Sequence, residues 1–133
     1  SSTLRELFSR LVFNILCGNT DDHARNHAAF WDGEWLKLTP AYDICPQLRA
    51  ENEASQAMLI SGGNRMSQIS SCLEAAAAFQ LTRKEAVEIA RYQQAVIQDN
   101  WNAVCDEAQV SEIDRTMFWG RQFLNAYSCV GLD

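Results

Sequence analysis

Residues 18–43 read GNTDDHARNHAAFWDGEWLKLTPAYD, and two changes of pattern inside them decide the fold. Up to Gly18 the chain has helical apolar spacing. From Gly18 to Asn26 it turns polar, placing Asp21, Asp22, His23, Arg25 and Asn26 side by side. Charged groups crowded at the end of an apolar element cost burial free energy, so a fold keeps them more readily when they bind something. HAAFW and EWLKL then read as two short strands joined by a tight turn at Asp32-Gly33. The hairpin takes the chain out and back, so Asn26 at its start and Asp43 beyond its end can meet. Without it, the same stretch fully extended would separate them by roughly 55 Å. Pro40 ends the second strand and stiffens the approach to Tyr42 and Asp43.

Working outward, Leu4, Leu7, Phe8, Leu11, Val12, Ile15 and Leu16 recur at helical spacing and predict an amphipathic helix over 3–17. Ser2 or Thr3 can cap it, with Glu6 in capping-box position, and Gly18 is placed to stop it. Residues 47–66 are irregular, with a short extended piece around AMLI (57–60) and a turn at Gly62-Gly63-Asn64. Beyond them the pattern is helical: one helix over 67–79, a second over 82–108 opened by Thr82 and Glu85, and a third from Ser111 to about Val130. Val87, Ala90, Ala95, Val96, Trp101 and Val104, then Ile113, Met117, Phe118, Phe123, Leu124 and Tyr127, read as core-facing stripes. The fold class is mainly α, one domain over 1–133 with a single small β-hairpin.

The chain has 133 residues and a net charge of −6, so a nucleic-acid interface, which usually needs a basic face, is disfavoured. No apolar run approaches bilayer-spanning length, and SSTLRELFSR lacks the apolar segment of a signal peptide. The five cysteines (Cys17, Cys45, Cys72, Cys105, Cys129) show no C-x-x-C spacing and read as reduced thiols of a cytoplasmic protein. A first residue other than Met, already inside a helical pattern, reads as a piece of a longer chain.

Asp21 and Asn26 stand in the D-x-x-x-x-N relation of kinase catalytic loops, where the Asp meets the acceptor hydroxyl and the Asn turns back to the metal. Asp43 supplies a second carboxylate, and an Asn–Asp oxygen pair suits Mg²⁺ better than zinc. The spacing alone recurs by chance; the helix before it, the hairpin after it and the later Asp give it weight. The bland readings are a turn carboxylate for Asp21 and Asp43, a loop-orienting His23, a plain strand position for His27, and core packing for the four tryptophans. A zinc pair from His23 and His27 lacks a third ligand. Two other functions compete: a noncatalytic helical partner-binding module, and a metal-dependent phosphodiesterase using Asp21, Asp22 and His23. The latter needs more carboxylates than the loop offers.

GNTDDHARN, the hairpin and LTPAYDICP together resemble the catalytic core of the HipA family of bacterial serine/threonine kinases, the toxin halves of type II toxin–antitoxin pairs. MLISGGNRMS, LTRKEAVEIA and the WGR of Trp119 to Arg121 extend the resemblance along nearly the whole chain. It implies the helical C-terminal lobe of a HipA-like kinase, with Asp21 as proton acceptor, Asn26 and Asp43 as Mg²⁺ ligands, and His23, Arg25 and Tyr42 near the phosphates of ATP. The family often has Lys where this chain has Arg25, which keeps the charge and changes the donor geometry. Asp22 occupies a variable place and is assigned no step. The resemblance also implies a protein substrate, such as an aminoacyl-tRNA synthetase or another translation component, and a helix-turn-helix antitoxin that makes any DNA contact. A phosphate-covering glycine loop and an ATP-contacting Lys are not found. The nucleotide-binding lobe is therefore expected outside these residues, leaving them inactive alone.

Overall fold

In the first helix the apolar spacing puts Phe8, Val12, Ile15 and Leu16 on one face, and all four are fully buried. The computed structural model describes residues 2–20, 22, 26–42, 44, 46, 54–58, 60 and 64–132. Its elements are α1 (Ser2–Cys17), β1 (Ala29–Trp31), β2 (Leu36–Leu38), α2 (Ile69–Ala75) continued by a 3-10 turn (Ala76–Phe79), α3 (Arg83–Glu107) and α4 (Glu112–Phe118). The buried face of α1 packs against α2 and α3 through Ile69, Cys72, Leu73, Ala86 and Ala90. Each fully buried Phe, Val, Ile or Leu among them contributes about 1.5–3 kcal/mol of transfer free energy. The mainly α expectation with one small hairpin holds among the described residues.

β1 and β2 pair antiparallel in the register Ala29 to Leu38, Phe30 to Lys37 and Trp31 to Leu36. The turn is built as its Asp-Gly signature predicts. Asp32 Oδ1 accepts from the amides of Trp35 (2.8 Å) and Glu34 (2.9 Å), and Gly33 takes φ +99°. Those amides, Trp35 first, hold the Asp32 carboxyl below its ordinary range. Polar contacts fasten the hairpin to α1. The Thr3 hydroxyl donates to the Leu36 carbonyl (2.6 Å), and Arg10 donates to the Thr39 carbonyl (2.6 Å) and to Glu6 (2.8 Å). Thr3 therefore serves inside the helix rather than as its cap.

Thr82 and Glu85 form the reciprocal capping box that opens α3, and Ser111 accepts from the Asp114 amide at the start of α4. Two expectations fail further along. α3 has 25 residues against 16 in α1, about 37 Å against about 24 Å, so its C-terminal half overruns the core. Val96 and Val104 are exposed, and on α4 Ile113 is 82% exposed. The last helix also stops at Phe118 rather than near Val130. Trp119 is extended and Gly120 sits at φ +78°, because the following segment is needed elsewhere. The Leu124 amide donates to the Leu16 carbonyl (2.8 Å) at the end of α1, and the Ser128 and Val130 carbonyls accept from Ile69 and Ser70 (both 2.8 Å) at the start of α2. Those helix-end groups have no intrahelical partners, and a continuous helix would have its own amides and carbonyls occupied.

Candidate active site

Gly18 ends α1 with a double backbone closure. The Asn19 amide donates to the Asn14 carbonyl (2.8 Å) and the Gly18 amide to the Ile15 carbonyl (3.3 Å), with Gly18 at φ +77°, the Schellman pattern. A Cβ on Gly18 would lie 2.7 Å from the Gln122 carbonyl oxygen. Gly18→Ala should therefore combine left-handed strain with a backbone clash and destabilise the fold by about 2–3 kcal/mol in chemical denaturation. A neutral result would mean that residues 119–124 are not seated against the helix end.

From there the chain is held on both sides. Buried Asn19 donates from Nδ2 to the Asn14 side chain (3.0 Å). Gln56 donates from Nε2 to the Asn19 carbonyl (3.0 Å), and the Ala57 amide donates to the Thr20 carbonyl (3.1 Å). The segment supplying these contacts is itself paired, with the Gln56 amide on the Arg65 carbonyl and the Ser67 amide on the Ala54 carbonyl. The extended piece expected around 57–60 thus sits earlier, bridging Ser55 to Met66, while Ala57, Met58 and Ile60 lie in bends; Gly62-Gly63 lies outside the described residues.

The hairpin returns the chain beside its own start, with the Thr39 amide on the Ala28 carbonyl (2.9 Å). Arg10, Asn14, Asn19 and Asn26 line a small cleft together with Ala41, Tyr42 and Ile44. Asn26 and Tyr42, two of the six residues expected at the site, thus share one cleft. Asp21, His23, Arg25 and Asp43 lie outside the described residues. Asp22 and His27 line the same cleft, and His27 Nε2 lies 2.6 Å from Asp22 Oδ1. With the carboxylate ionised, the imidazole N–H donates. Both residues also border a second, mostly apolar cavity of about 110 Å³ formed by Leu7, Leu11, Met58, Ile60 and Phe79 together with Gln56.

Sequence reasoning missed three of these roles. Asn14 is a polar residue at helical spacing from Leu7 and Leu11, a signal available in the sequence. Arg10 reads as a solvated helix position and Gln56 sits in an irregular stretch, so neither carried one. Cys17 and Cys72 are buried, which pushes their thiols up to about 11 and about 12, so neither is a ready nucleophile at neutral pH. Among the described residues no cluster of three or more His, Cys, Asp or Glu could hold a metal, and no helix is long and apolar enough to cross a membrane.

The family model described as the HipA-like C-terminal domain matches residues 1–101, which include α1, the polar loop, the hairpin and most of α3. The chain belongs to the HipA family. No curated protein and no solved structure matches it. The cleft lies wholly within the HipA-like stretch, whereas α4 and the segment that closes the ends of α1 and α2 lie beyond it.

Proposed function

We infer that this chain is the catalytic lobe of a Mg²⁺-ATP-dependent serine/threonine protein kinase of the HipA type. One observation carries the reading: within the family-matched stretch, Asn26 before the hairpin and Tyr42 after it line one cleft. Tyr42 directly precedes Asp43, and Asn26 follows Asp21 by five residues. Asp21 is proposed to accept the proton of the incoming hydroxyl, and Asn26 with Asp43 to present oxygen ligands to the metal. The donor chemistry fits a hard ion, since Asn and Asp offer oxygen and the described cleft contains no thiolate. Mg²⁺, when bound, neutralises charge on the β- and γ-phosphates. His23, Arg25 and Tyr42 are proposed to contact those phosphates, with a guanidinium suited to paired hydrogen bonds. The glycine loop and Lys that kinases use to hold ATP are proposed to lie on sequence outside these residues.

A protein of the translation machinery is the proposed substrate, and a helix-turn-helix antitoxin the proposed partner, through which any DNA contact would run in the cytoplasm. The test is transfer of the labelled γ-phosphate. The full-length protein with Mg²⁺-ATP and cell lysate should label a specific polypeptide, with the signal lost in EDTA. The isolated 133 residues should give none. Absence of labelling by the full-length protein would overturn the kinase reading. Transfer by the isolated residues, lost in Asp21→Asn, would overturn the division between two lobes.

A further inference from the structure

We propose that Asp22 and His27 form a brace that sets the spacing between the two functional ends of the polar loop, making them positioning residues for the phosphotransfer. The inference rests on the kinase reading above. Asp22 directly follows Asp21, and His27 directly follows Asn26. The bond between their side chains, 2.6 Å from His27 Nε2 to Asp22 Oδ1, therefore spans the same interval as the D-x-x-x-x-N pair. Tying 22 to 27 fixes the interval between the residue that follows Asp21 in sequence and the one that follows Asn26. Catalysis is sensitive to errors in such spacing.

The surroundings argue that this pair is there for geometry rather than for packing. The Asp22 side chain is only 6% exposed, and the His27 side chain 17%. Leu7, Leu11, Met58, Ile60 and Phe79 line the cavity beside them, a setting that an apolar pair would fill at lower desolvation cost. A carboxylate there needs a partner, and a carboxylate–imidazole bond restricts direction as well as distance. The brace completes a frame already present on the other side, where Gln56 and Ala57 hold Asn19 and Thr20. The start of the loop is thus fixed by the extended segment, and its end by His27.

The test uses the full-length protein and four variants. Asp22→Ala and His27→Leu remove the bond. Asp22→Asn and His27→Gln keep a polar group at a similar reach, the Gln amide standing in for Nε2. Steady-state kinetics per folded molecule should show kcat lower by about 10- to 100-fold in the first two, with the KM for acceptor protein little changed. The second two should stay within about threefold of the parent, and Asp22→Ala combined with His27→Leu should be no worse than the poorer single variant. Amide hydrogen exchange over residues 19–28 gives a readout independent of turnover, and it should accelerate in the bond-removing pair and be restored in the conservative pair. The brace is overturned by an active parent whose kcat is unchanged in folded His27→Leu, or by exchange that the bond-removing variants leave unaltered. It is equally overturned if the conservative variants lose as much kcat as the others. A parent without phosphotransfer overturns the kinase reading itself, and the positioning role with it.

Discussion

Asp21→Asn is expected to cut phosphotransfer by the full-length protein about 10²- to 10⁴-fold, the range that a general base contributes, and to leave folding almost untouched. The amide is nearly isosteric with the carboxylate but cannot take up a proton or carry its charge to the reacting hydroxyl. Among the described residues the core is an apolar cluster assembled by α1, α2 and α3. Asp43→Ala should fail differently. It removes the proposed oxygen ligand, so on the kinase reading the Mg²⁺ concentration needed for half-maximal rate should rise as well as kcat falling. Labelled-phosphate incorporation measured across a magnesium titration, beside thermal melts, separates the two. Two folded variants with undiminished labelling would remove both residues from the mechanism.

Much of this arrangement was legible because its signals are local. Asp32-Gly33 fixes the turn through its own backbone and the Asp32 carboxylate, and Thr82 with Glu85 satisfies the amides of its own helix start. Gly18 stops α1 through backbone bonds confined to residues 14–19. The parts that could not be read depend on chain far away. Residues 119–130 have helical apolar spacing, yet the unsatisfied ends of α1 and α2 recruit them as partners, and no window of sequence around Phe123 contains that demand. Likewise His27 looks like an ordinary strand position until Asp22 is found buried against it. Two polar residues five apart do not by themselves announce a bond between their side chains.

The second large effect is on stability, and it isolates the scaffold from the chemistry. Phe8→Ala should destabilise the protein by about 3–5 kcal/mol, a large share of the roughly 5–15 kcal/mol that holds a domain folded. Phe8 is fully buried in the face of α1 that meets α2 and α3, and its ring packs edge-on against Phe79 at 5.3 Å. Truncation removes both the transfer free energy of the ring and the support of Phe79, which also walls the cavity beside Asp22 and His27. In a domain of this size the loss corresponds to a fall in melting temperature of about 10–20 °C. Ile113→Ala, at a position 82% exposed, should change stability by less than about 0.5 kcal/mol, although both residues occupy apolar positions in helical patterns. Chemical denaturation of the two variants therefore tests which stripe faces the core. Equal losses would mean that α4 is buried in the native protein, by a surface these residues do not supply. Unequal losses, with folded Phe8→Ala retaining its turnover at low temperature, would place the core and the reacting groups under separate control.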